Sequence, residues 1–311
     1  MKKRIILFLT MMLLAVFLTA CGTQQAKSPA STSSGKTDGM GKILTDVKNT
    51  GILKVAAFGN RPPWYFQRIS ANGQKETSGF EYYMIKGLSE LVSKKVGRDV
   101  KVEIMETDVA GVLAALQAGK AHFSFSLAAT PERKKNLDFS MAYHRSLQVI
   151  AVRVTDKDNP KFRPENKLKG VKIASIQASS QSVALKEQYP DCEVLDLTSA
   201  SDELLSLVNG KCDAAVFNEK IGILYSKANP SITFLPELSF KVPLEREKGS
   251  SLAFQYGNDD FKALCDEYIT QILNDGTFNS FEKKAISLLD DPSILDSFTT
   301  KNLIDLKKNK P

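Results

Sequence analysis

The sequence predicts an α/β protein of two lobes, each a mostly parallel sheet flanked by helices, with a two-strand hinge between them. Three observations carry this reading. Strand-like and helix-like patterns alternate twice, once over residues 53–126 and again over 171–217, and such alternation builds parallel sheets covered by helices. Between the two series lies Gln148–Arg153, an apolar run without turn residues, and a matching return is available around residues 240–254. Finally, 311 residues with 42% hydrophobic and 25% charged side chains suffice for two domains and exclude both a disordered chain and a polytopic membrane protein.

In chain order, residues 1–20 read as an export leader. Lys2, Lys3 and Arg4 are followed by an apolar stretch, residues 5–17, too short to span a hydrocarbon core of about 30 Å. The leader ends in Leu18-Thr19-Ala20-Cys21, which resembles the bacterial lipobox; the resemblance implies that Cys21 is diacylated and becomes the first residue of the mature protein. Residues 21–41 are rich in Ser, Thr, Gly and Lys without apolar periodicity, so they read as a flexible tether. Two acyl chains anchor firmly, which places the folded part outside the cell on the outer leaflet.

The first lobe is expected over residues 42–148 plus 249–295. Residues 53–57 form a short β run, 82–97 carry Ile85, Leu88, Leu91 and Val92 at helical spacing, 100–105 alternate as a strand, and 109–118 read as a helix closed by Gly119. A strand at 123–126 follows. The second lobe, 149–248, repeats the rhythm: strand 171–176, helix 180–189, strand 193–197, helix 200–209 stopped by Gly210, strand 214–217. A strand-like 252–254 and an amphipathic helix 259–273 return to the first lobe, and the Lys-rich residues 296–311 are expected to fray. Ligands are expected at the carboxyl ends of the strands.

Charge and residue counts narrow the function. Lys and Arg number 42 against 35 acids, but three cations belong to the leader, leaving 39 against 35, or +4. That excess is too small and scattered for a nucleic-acid binder. Two histidines, His122 and His144, and widely separated cysteines cannot assemble a paired C-x-x-C zinc site or an H-E-x-x-H helix, so no metal or other cofactor is expected. Cys192 and Cys212 begin strands expected on either side of strand 172–176, about 9.6 Å apart. A disulfide needs Cα atoms within about 7 Å, so they read as free thiols, with Cys265 a third.

A series of short motifs carries a family resemblance. Gly51-Ile52-Leu53-Lys54-Val55-Ala56, Pro62-Pro63, Gly79-Phe80-Glu81, Ala118-Gly119-Lys120 and Thr130-Pro131-Glu132-Arg133 with Leu137-Asp138-Phe139-Ser140 come first. Gly170-Val171-Lys172-Ile173-Ala174, Gln177-Ala178-Ser179-Ser180-Gln181, Gly210-Lys211-Cys212-Asp213-Ala214 and Asn274-Asp275-Gly276-Thr277 complete the order. Together, over residue 42 to about 289, they resemble bacterial extracellular solute-binding proteins of family 3, the binding lipoproteins of ABC importers for polar amino acids. The resemblance implies a type II periplasmic-binding-protein-like fold, a monomer that takes an amino acid or related small carboxylate into the cleft between its lobes, and an ABC transporter permease as partner.

It also implies roles for individual residues. Arg133 matches the arginine that grips the ligand α-carboxylate, a task suited to a guanidinium fork, and Thr130 and Pro131 read as the cap and first position of a short helix beneath it. Ser179 and Ser180 lie where a strand turns into a helix, so N–H groups and a hydroxyl converge there. Ser126 lies at the end of its strand, and Arg61 and Trp64 sit in the stiff loop 60–66 that forms a candidate wall, although Trp64 and Phe66 read equally well as core. Glu81 matches an acid of the family.

The ammonium side departs from the pattern. Asn218 stands where an acid is common and Glu219 is its neighbour, Ala128 replaces a frequent hydroxyl, and His122 replaces an Asp, though it reads best as a partly buried strand histidine. Either Glu219 serves as counter-ion, or the ligand is a carboxylate without an ordinary α-ammonium. Two alternative classes stay open: a secreted family-like dehydratase with Glu219 or Glu81 as general acid, and a ligand-sensing binding protein.

Overall fold

The computed structural model describes residues 40–70, 72–240, 242 and 249–308. The expected leader, Cys21 and nearly all of the tether lie outside the described residues, as do 309–311.

The first half begins with helix α1 (Lys42–Thr50) and strand β1 (Ile52–Phe58), followed by a hairpin of β2 (Phe66–Ile69) and β3 (Lys75–Ser78). Then come α2 (Phe80–Val96), β4 (Lys101–Thr107), α3 (Val109–Gln117), β5 (Phe123–Ala128) and the short β6 (Asp138–Phe139). The chain crosses on β7 (Gln148–Arg153) into β8 (Lys172–Ile176), α4 (Ser180–Gln188), β9 (Glu193–Leu197), α5 (Ala200–Val208), β10 (Ala214–Asn218), α6 (Glu219–Ala228) and β11 (Ile232–Phe240). It returns on β12 (Ser250–Phe254) and ends with α7 (Asp259–Asn274), α8 (Thr277–Ser287), α9 (Pro292–Ser297) and α10 (Thr300–Lys308).

Local chemistry explains many of these boundaries. Asp108, Ser179 and Ser199 each accept a backbone N–H from the first turn of the helix they precede, Gly111 at 2.7 Å, Ser182 at 3.1 Å and Asp202 at 3.2 Å. Such caps satisfy donors that have no partner inside the helix.

Two five-stranded sheets result, ordered β4-β1-β5-β12-β6 and β11-β7-β10-β8-β9. Each is mixed, where the sequence suggests mostly parallel pairing. The βαβ units supply the parallel pairs, β4-β1-β5 and β10-β8-β9, while β12 runs antiparallel to β5 and β6 and β7 antiparallel to β10 and β11. The reason is connectivity. β7 and β12 are the strands on which the chain crosses between the halves and belong to no βαβ unit, so the rule that makes the strands of such a unit parallel does not act on them.

The crossing segments meet at His144, bridged to Ser250. Gly249, with φ +128°, lies so close that a Cβ there would stand 2.4 Å from the His144 carbonyl oxygen. Beneath the first sheet Leu44, Phe80, Leu88, Phe254, Phe261 and Cys265 are fully buried, and burial of each large apolar side chain contributes about 1.5–3 kcal/mol. The thiols of Cys192, Cys212 and Cys265 are free, with β8 lying between the strands that begin beside the first two.

The C-terminal residues depart from the expected frayed tail. While α7 and α8 pack on α2, α9 and α10 pack on α6 and α5 of the second half. Ile294, Phe298 and Leu303 are buried, and the Asn229 side chain donates to the Phe298 carbonyl at 2.9 Å and accepts from Thr300 N–H at 2.8 Å. An apolar residue every four or five positions is enough to dock a Lys-rich stretch.

Candidate ligand-binding cleft

The carboxyl ends of β1, β5, β8 and β10 and the start of β7 surround one cleft, lined from both halves. Arg61, Trp64, Ser126, Arg133, Ser179, Ser180 and Asn218 of the sequence-predicted set all line it, whereas Glu81 and Glu219 do not.

The wall from the first half is built around Arg61. A tight turn closes on the Arg61 carbonyl, which accepts from Trp64 and Tyr65 N–H at 2.9 and 3.0 Å. Trp64 is buried, and the guanidinium carbon lies 5.0 Å from its ring centroid and 5.1 Å from that of Phe58. One end of the guanidinium donates to Ser126 Oγ and lies 3.8 Å from Glu81 Oε1. Glu81, 4% exposed, accepts from the hydroxyls of Ser126 and Tyr143, the latter at 2.7 Å. Tyr143 in turn accepts from Ser126 N–H at 2.9 Å, which holds Ser126 at φ +59°. Burial and the Glu81 charge push the Tyr143 phenol well above its usual range, so it stays a donor. Glu81 thus stands behind the wall and orients Arg61 and Ser126.

Arg133 spans the two halves. Its guanidinium donates to the Ala128 carbonyl at 3.1 Å, at the end of β5, and to the Ala178 carbonyl at 2.9 Å, in the turn between β8 and α4. Thr130 Oγ accepts from Arg133 N–H at 3.3 Å as the sequence suggests, but a 3-10 turn at Arg133–Lys135 stands in place of the expected helix.

Across the cleft, the Ser179 hydroxyl is committed to capping: it donates to the Ile176 carbonyl at 2.6 Å and accepts from Ser182 N–H. Ser180, the first residue of α4, lies beside it. Asn218 Oδ1 caps α6 through Lys220 N–H at 3.1 Å, and Glu219 is exposed. His122 lies elsewhere, accepting from Lys54 N–H at 3.1 Å on Nδ1 with Asp46 2.8 Å from Nε2.

Several lining residues escape the sequence reading, His144, Gln148 and Glu203 among them. His144 packs against Trp64, Phe80 and Phe278, and burial, with the Lys220 charge behind it, pulls its pKa down to about 4, so it is neutral at physiological pH. Gln148 is 4% exposed, and its side-chain oxygen has no hydrogen-bond partner. Glu203, on α5, is 1% exposed and is the only acid among the described lining residues, facing a lining that also holds Arg61, Arg133 and Arg145. Burial pushes its carboxyl well above the usual range. Position in the chain gave no signal for these three: a histidine in a connection, a glutamine opening a strand and a glutamate in the first turns of a helix are all commonplace.

A cleft between two mixed sheets, crossed by paired hinge segments and lined by polar groups from both sides, defines a two-lobed solute-binding protein of the type II periplasmic class. The sequence profile of the bacterial extracellular solute-binding proteins, family 3, matches residues 53–287, and the chain belongs to that family. A probable histidine-binding protein of Campylobacter jejuni is 27% identical over 289 residues, covering 91% of this chain and 98% of that protein. Among solved structures, an amino acid ABC transporter substrate-binding protein from Streptococcus pneumoniae bound to L-arginine superposes with a TM-score of 0.66 at 26% identity, over 79% of this chain and 98% of that one. The ancestral amino acid-binding protein AncCDT-1, a precursor of cyclohexadienyl dehydratase, superposes at 0.64 and 26% identity, over 78% and 99%.

Proposed function

We propose that this chain captures an amino acid, or a closely related small carboxylate, in the cleft between its lobes and delivers it to an ABC importer, working as a monomer lipid-anchored through Cys21. The observation that carries the reading is Arg133, whose guanidinium reaches carbonyls on both sides of the cleft. A ligand carboxylate presented there exchanges neutral acceptors for a charged one, and charge-assisted hydrogen bonds are about twice as strong. Because the groups belong to both halves, the same contact favours closure around the ligand.

Capture without turnover fits the carboxylates named as general acids. Glu219 is exposed, and Glu81 already accepts two hydroxyls behind the wall. The test is calorimetric titration of the mature protein with the common amino acids, then mass spectrometry of the recovered compound. Saturable one-to-one binding with the compound recovered unchanged is expected; a dehydrated product would make the chain an enzyme.

A further inference from the structure

We propose that Glu203 and the Gln148 side-chain carbonyl form the cation-recognising end of the cleft and take the α-ammonium of the amino acid. This deepens the amino-acid reading above and rests on it. Glu203 lines the cleft from α5, the helix that packs across β8, β10 and β7. It is 1% exposed, and among the described residues no cation pairs with it; the backbone N–H of Ile176 is the group that bonds it.

A carboxylate buried without a cation is costly to ionise, so the site holds it neutral until a positive charge arrives. The Gln148 oxygen, buried in the same lining, is an acceptor with no donor. A buried carboxyl bonded by one backbone N–H and an oxygen with no donor, in a cleft whose other charged side chains are cations, match a ligand group that is cationic and donates several hydrogen bonds. An ammonium has three donors and no acceptor. The other acids are otherwise engaged, Glu81 by Ser126 and Tyr143, and Glu219 by its exposed place on α6.

The test uses the mature protein. Thermal shift with the twenty common L-amino acids and L-cystine selects the best binder. Calorimetry then compares that amino acid with its des-amino acid, 5-guanidinopentanoic acid for arginine or 3-(imidazol-4-yl)propanoic acid for histidine. In the wild type the amino acid is expected to bind at least about tenfold tighter. Glu203→Gln, which keeps the shape, is expected to weaken the amino acid by about thirtyfold or more and leave the des-amino acid within about threefold. Gln148→Leu is expected to cost the amino acid about tenfold with the same selectivity, and it decides the matter if Glu203→Gln does not fold. An amino acid that binds Glu203→Gln as it binds wild type, or equal losses for both probes, overturns this assignment and leaves the amino-acid reading standing. No stabilisation of the wild type by any amino acid overturns both.

Discussion

Arg61 illustrates how much of the cleft wall is held from behind. Its guanidinium is stacked on Trp64 and fixed by Ser126 and Glu81, so the side chain that faces the cleft has little freedom left to lose on binding. Removing one partner of a buried ion pair costs about 3–5 kcal/mol because the other charge is left uncompensated. Glu81→Ala is therefore expected to lower stability by about that amount in urea unfolding, and a loss under about 1 kcal/mol would show the pair to be solvated. Arg133→Ala is expected to leave the apo melting temperature within a few degrees while binding falls thirty- to several-thousand-fold, as for loss of one partner of a desolvated charge pair at about 2–5 kcal/mol. Titration against the wild type measures it. For His144 the folded pKa, about 4, lies below the ordinary 6.5, so its contribution is present above pH 6.5 and is lost as pH falls toward 4, up to about 3 kcal/mol. His144→Asn is expected to flatten that part of the stability-pH curve, and a parallel curve would mean that the histidine protonates freely in the fold. Of these residues, Arg61 and Arg133 were legible because motifs surround them. His144, Gln148 and Glu203 were not, because their meaning comes from which neighbours the fold supplies or withholds.

At the scale of elements, the second half was read from sequence almost to the residue, β8 through β10 within a residue or so at each end, because caps at Ser179 and Ser199 and the stop at Gly210 punctuate it. The hairpin β2–β3 was not legible: Phe66–Ile69 and Lys75–Ser78 are four residues each and largely exposed, so no alternation stands out. Nine-residue α1 went unseen for a related reason, its buried face being only Ile43, Leu44 and Val47. The hairpin's junction with α2 is nevertheless tightly determined. Gly79 has φ +120°, and a Cβ on it would lie 2.1 Å from the Trp64 carbonyl oxygen, backbone that cannot step aside. Gly79→Ala is expected to destabilise by more than about 2 kcal/mol, adding a clash to the ordinary penalty for positive φ, and to weaken ligand binding as the Arg61 loop shifts. Urea midpoints and titration of the same variant check both effects; a neutral substitution would mean that the turn at 61–65 is not held by this contact.

In the whole molecule the two sheets followed from alternation, as did the place of β8 between β9 and β10, whereas the rest of the strand order and the antiparallel half of each sheet came from how the chain passes between them. The C-terminal helices α9 and α10 add a third passage. A chain ending after Asp291 is expected to keep the two sheets, lose several degrees of melting temperature as Tyr225 and its neighbours lose Phe298 and Leu303, and show a larger apo radius of gyration in small-angle scattering. Equal radii would mean that these helices do not restrain the lobes. Their docking also bears on how the protein folds. Gly41 and Ile43 bond Asp260 and Asn258 across more than 200 residues, and Asn229 waits for Phe298 and Thr300. Each half is thus sealed by segments made late in synthesis, so a nascent chain holds two unfinished cores until its last helices are available, and folding should be slow, governed by closure of long loops more than by the speed of any single helix.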